Sequence, residues 1–118
     1  MASTMKIQKI AEILEAQIIC GEEFIDNEII SGFASDLMSD VSTLESEHLV
    51  LITGLTNMQT VRTAEMADLD CVVFVRGKKI TPEMQEIAKD NQMVLMECKY
   101  SMFRTIGLLY EAGLNPVY

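Results

Sequence analysis

Asp26–Val41 reads DNEIISGFASDLMSDV, and the order of its residue types decides how the rest of the chain is parsed. Apolar Ile29 and Ile30 run into Ser31-Gly32-Phe33-Ala34-Ser35-Asp36, after which Leu37, Met38 and Val41 fall at helical spacing. The pattern predicts a strand turning tightly into a capped helix. Gly32 would let the backbone turn or approach a ligand, while Ser35 or Asp36 would accept hydrogen bonds from the first-turn amides. Such a corner can hold an anion, because amide protons and the positive end of the helix dipole converge on it. It can equally be a helix cap that binds nothing.

Upstream, Lys6–Glu15 spaces Ile7, Ile10, Ala11, Ile13 and Leu14 as one face of an amphipathic helix, and Gln17–Cys20 follows as a short β-branched segment. Gly21 opens an acidic loop. Downstream, Asp36–Leu44 reads as a short helix and His48–Thr53, HLVLIT, as a buried strand ended by Gly54. A helix capped by Thr56 or Asn57 carries Met58, Val61 and Ala64 inward. Cys71–Val75, CVVFV, is a second buried strand, with Arg76-Gly77-Lys78-Lys79 as its exit turn. Thr81 caps the next helix with Pro82 at its first position, and Asn91 closes it. Met93–Glu97 is a further strand. Tyr100–Ala112 is a last helix with Phe103, Ile106, Leu109 and Tyr110 inward and Gly113 at its end.

Four successive strand-then-helix units with short connections predict a three-layer α/β sandwich, with a mostly parallel sheet of four to five strands and helices on both faces. A chain of 118 residues, 49% hydrophobic, fits one domain, residues 1–118, that buries a core without metal or disulfide. Cys20, Cys71 and Cys98 are scattered and odd in number, which reads as reduced core residues. The longest apolar runs are far short of a membrane span, and the start MASTMKIQKIAEI lacks the layout of a secretion leader, so a cytoplasmic location is expected.

The net charge is −9 and lies mostly in the first half, where residues 1–50 carry two bases against ten acids. Without a basic cluster there is no footprint for a nucleic-acid backbone and no attraction to an anionic membrane, so neither is an expected partner.

In an open α/β sheet ligands sit beyond the carboxyl ends of the strands, so residues leaving each strand are the candidates for binding. These are Ser31, Gly32, Ser35 and Asp36 from the first corner, Thr53 and Asn57 from the second, then Arg76 and Arg104. Hydroxyls, helix N-termini and guanidinium groups suit a phosphate-bearing small molecule, with Arg76 or Arg104 engaging its oxygens bidentately. The same residue types also serve as caps and solvated cations. No P-loop, dinucleotide loop, nucleophile elbow or zinc pair is present, and the single histidine, His48, opens a strand where a surface role suits it. Neither catalytic residues nor a cofactor or metal is expected.

DNEIISGFASDLMSDV, HLVLITGLTN, CVVFVRGKKI and YSMFRTIGLLYEAGL together resemble the DRTGG domain family, over nearly the whole chain. The most specific string is Gly32-Phe33-Ala34-Ser35-Asp36-Leu37, followed by Ser39-Asp40-Val41. The naming motif itself differs here: Asn27 follows Asp26 where the family has Arg, and Ser31 stands for the first of two glycines. Family members occur as regulatory modules beside CBS domains in pyrophosphatases and within phosphotransacetylases, and the fold is similar to the noncatalytic N-terminal domain of HPr kinase. The resemblance implies regulation and self-association rather than turnover; joined to the strand-end candidates, the reading is a homodimeric regulatory or sensory module with a small nucleotide-like or phosphorylated ligand at the strand-end cleft. The alternative is a purely structural dimerisation or adaptor domain, its surface built from residues such as Ile7, Ile10, Phe103 and Tyr110. A small enzyme using Asp36 and an arginine is the third and weakest reading, because no nucleophile with its base can be named.

Overall fold

The computed structural model describes residues 4–118; of the leader reading, residues 1–3 lie outside the described residues. The chain runs through β1 (Met5–Lys6), α1 (Ile7–Leu14), β2 (Gln17–Cys20), a 3-10 turn (Glu22–Phe24), β3 (Glu28–Ile29), β4 (Ser31–Ala34) and α2 (Met38–Val41). It continues through β5 (Leu49–Thr53), α3 (Met58–Met66), β6 (Cys71–Phe74), α4 (Pro82–Asp90), β7 (Val94–Glu97), α5 (Met102–Glu111) and β8 (Asn115–Pro116).

The main sheet has six strands in the order β2-β7-β6-β5-β4-β8, parallel throughout except for β2, which runs antiparallel to β7. From β4 to β7 each strand lies beside its predecessor, so connections of constant hand must leave on one face. They do: side chains of α2, α3 and α4 pack together with Leu49, Leu51, Val72, Phe74 and Leu95. The connection from β7 returns across the sheet to β8, and its helix, α5, joins α1 on the other face over Val50, Ile52, Val73 and Met96. Alternation along β5 and β6 thus feeds two cores, which is why both strands read as unbroken apolar runs. The expected sandwich is observed, with β8 and the small β1-β3 ladder as additions.

Three helix starts follow the sequence grammar. Asn57 accepts the Thr60 amide at 2.9 Å, Thr81 the Met84 amide at 3.3 Å, and Ser101 the Arg104 amide at 3.1 Å. All three cysteines are free and buried, and burial pushes the Cys71 thiol well above the usual range.

Five expectations are corrected. Ser31–Ala34 is not a turn but a strand paired residue for residue with Leu49–Ile52. A Cβ on Gly32 would stand 2.9 Å from Leu114 Cδ2, so this glycine makes room within a strand for a side chain arriving from beside β8 rather than for a turn. Helix α2 is one turn beginning at Met38, and neither Ser35 nor Asp36 caps it; Ser35 Oγ accepts at 2.9 Å from the amide of Leu37, ahead of the helix. On α5, Phe103 (89% exposed) and Tyr110 (65%) face outward while Thr105 and Leu109 are buried. Ile7 and Ile10 are fully buried, which removes them from any partner surface.

Candidate functional site at the strand ends

Parallel pairing brings the exits of β4, β5, β6 and β7 to one rim. The Asp36 carboxylate reaches across from the end of β4 to the end of β5. Its Oδ1 accepts from the Thr53 hydroxyl at 2.9 Å and from the Gly54 amide at 2.7 Å. Thr53, fully buried, also accepts from the Leu55 amide at 3.1 Å, so its hydroxyl both donates and accepts. This network substitutes for helix capping as the reason for an aspartate here: it ties two neighbouring strand exits together through one charged acceptor.

Arg76 leaves β6 in the left-handed conformation, φ 63°, and its amide donates to the Tyr100 carbonyl at 2.8 Å, joining the exits of β6 and β7. The guanidinium folds back over Gly54. A Cβ built there would lie 3.2 Å from Arg76 Nη2, 3.4 Å from Nε and 3.6 Å from Asp36 Oδ1. Arg76 and Asp36 thus converge above a residue that offers no side chain. Among the described residues the ion pairs within 4.0 Å are His48–Asp70 and Lys79–Glu97, so no carboxylate closes the Arg76 guanidinium at that range.

The Arg104 guanidinium carbon sits over the Tyr100 ring, 4.1 Å from its centroid, and the Tyr100 hydroxyl donates to Glu15, which raises the pKa of the phenol. Of the sequence candidates, the rim gathers Ser35, Asp36, Thr53, Asn57 and Arg76, with Arg104 attached through Tyr100. Ser31 and Gly32 are not brought there: Ser31 begins β4, roughly 10 Å of strand away from the exit. Gly54 and Tyr100, among the residues leaving the strands, carry more of the geometry than either. The signal for Gly54 was visible as a glycine directly after a buried strand.

His48 sits at the opposite end of β5, with φ 54°, and its Nδ1 lies 3.0 Å from Asp70 Oδ2. The hydrogen bond to Asp70 raises its pKa above the free value. A raised folded-state pKa means that the pair stabilises the fold fully below about pH 6.5 and loses that contribution as pH climbs through the folded value. The imidazole is half-exposed, so the gain is under about 1 kcal/mol. Thermal melts at pH 5.5 and 8 should show His48→Asn destabilising at the lower pH and nearly silent at the higher; the reverse order would break the assignment.

No protein-family model matches the chain, and no curated protein matches it in sequence. In fold it is similar to the CBS and DRTGG domains of the regulatory region of Clostridium perfringens pyrophosphatase, solved with the activator diadenosine tetraphosphate, at TM-score 0.72 and 17% identity. The superposition covers 95% of this chain and 48% of that one, so the chain spans about half the length of its structural relative. The fold is DRTGG-like. Among the described residues no helix is long and apolar enough to cross a membrane.

Proposed function

We propose that residues 1–118 form one DRTGG-like regulatory or sensory module, non-catalytic, cytoplasmic and homodimeric, that binds a small nucleotide-like or phosphorylated ligand at the carboxyl ends of its parallel strands. The observation that carries this reading is the convergence above Gly54 of the Arg76 guanidinium, without a carboxylate partner at ion-pair range, and the Asp36–Thr53–Gly54 network. A guanidinium over bare backbone presents a planar pair of donors to a phosphate, and Arg104 adds a second cation nearby. The pyrophosphatase regulatory region of similar fold was solved with a nucleotide activator, which supports the ligand class. The single histidine lies at the far end of the sheet, away from this rim, which favours binding over turnover.

Calorimetric titration with AMP, ATP and diadenosine tetraphosphate tests the reading. At 100 times its Kd a ligand specific to the folded state should add about 2.7 kcal/mol of stability. Arg76→Gln should weaken the tightest of the three about tenfold or more. It should leave the unliganded melting temperature nearly unchanged, because Arg76 is exposed. No heat from any of them at millimolar concentration would remove the ligand. A purely structural dimerisation or adaptor domain is the second reading, favoured by Asp36 already occupying the Gly54 amide and by the outward apolar residues of α5.

A further inference from the structure

Helix α5 turns Phe103, Ile106, Gly107 and Tyr110 outward, spaced as one stripe along its axis. Nothing lies within 4 Å of where a Cβ on Gly107 would stand, so the middle of the stripe is bare backbone open to close approach. Beside it, Ile106 and Tyr110 form one wall of a groove of about 250 Å³ whose other sides include Phe33, Leu114 and Val117, with no charged residue in its lining. Tyr118, 88% exposed, stacks edge-on against Phe33 at the rim of this groove.

We propose that this face docks a second copy of the chain, with the two α5 helices packed antiparallel across Gly107 and each Phe103 seated in the other copy's groove. The proposal deepens the reading above and rests on its homodimer. Charge selects the occupant and the direction. Arg104 and Glu111 flank the stripe at opposite ends, so an antiparallel two-fold brings Arg104 towards the partner's Glu111, twice. A parallel arrangement would oppose like charges. In a chain of net charge −9 the face is balanced, with one base and one acid beside the stripe, and two copies can meet there without the repulsion that acts elsewhere. Self-complementarity of knob and groove is what an isologous contact requires.

Sedimentation equilibrium on the full chain decides it. The unaltered protein should be dimeric, and Phe103→Asp should raise the dimer dissociation constant by about 30-fold or more while keeping the native circular dichroism, since Phe103 is 89% exposed. Arg104→Glu and Glu111→Arg should each weaken the dimer, and the double exchange should restore it. A dimer indifferent to Phe103→Asp would overturn this face but spare self-association; a monomer at every concentration would overturn both.

Discussion

Phe74→Ala is expected to remove about 3–5 kcal/mol of folding stability, read as a lower denaturation midpoint at unchanged slope. Phe74 ends β6, a central strand with β5 and β7 on either side, and no part of it reaches solvent. Its ring sits in the core between the sheet and α2, α3 and α4. Truncation there loses both the transfer free energy of the ring and the contacts around the resulting void, because three helices anchored on one sheet cannot all close inward. The loss is a large share of the 5–15 kcal/mol typical of a whole domain. Phe103→Ala removes the same atoms from a side chain that is 89% exposed and should change monomer stability by no more than about 0.5 kcal/mol. A loss near 1 kcal/mol for Phe74→Ala would mean that the helical layer collapses onto the sheet.

The contrast between these two phenylalanines marks where the sequence was legible. CVVFV and LVLIT read correctly because strands covered on both faces need apolar residues at every position, and that demand leaves no alternating pattern to misread. Asn57, one of the two caps offered for its helix, and Thr81 read correctly because capping is a local interaction within three residues; Ser101, which caps α5 in the same way, was taken into the helix instead. On α5 the apolar stripe suggested that Phe103, Ile106 and Tyr110 faced the core. The core takes Leu109, as expected, but beside it Thr105, whose hydroxyl meets the Cys98 thiol at 3.6 Å. An apolar stripe that faces outward looks the same in sequence as one that faces the core.

Ser31–Ala34 was misread for a related reason. Small and polar residues with a glycine signal a turn, but here their strand conformation depends on β5 on one side and β8 on the other, and on Leu114 lying over Gly32. None of those partners is near in the chain. Asp36 shows the same competition between local and distant bonds. A short acid ahead of a helix suits a cap, but the Thr53 hydroxyl and Gly54 amide across the strand gap take its carboxylate. Parallel order places the strand exits together, which is why Ser35, Asp36, Thr53, Asn57 and Arg76 share one rim as strand polarity alone suggested.

Gly21→Ala should destabilise the fold by about 3 kcal/mol, more than its single added methyl suggests. Gly21 follows β2 with φ 87°, where an L residue carries a penalty of about 1–2 kcal/mol. The new Cβ would also stand 2.7 Å from the Met93 carbonyl oxygen and 2.9 Å from Val94 Cα. Those are backbone atoms at the entry to β7, and they cannot rotate aside as a side chain would, so relief requires β2 to shift along the sheet edge. Gly77→Ala separates the two effects. Its φ is 69° but nothing lies within 4 Å of the added methyl, so only the backbone penalty applies, about 1–2 kcal/mol. Urea melts of both variants should therefore differ by more than 1 kcal/mol, and equal losses would mean that the edge strand moves without cost. Because β2 runs antiparallel, Gly21 lies near the amino end of β7, opposite the Asp36–Arg76 rim. The folded fraction of Gly21→Ala should accordingly keep whatever nucleotide affinity the unaltered chain has.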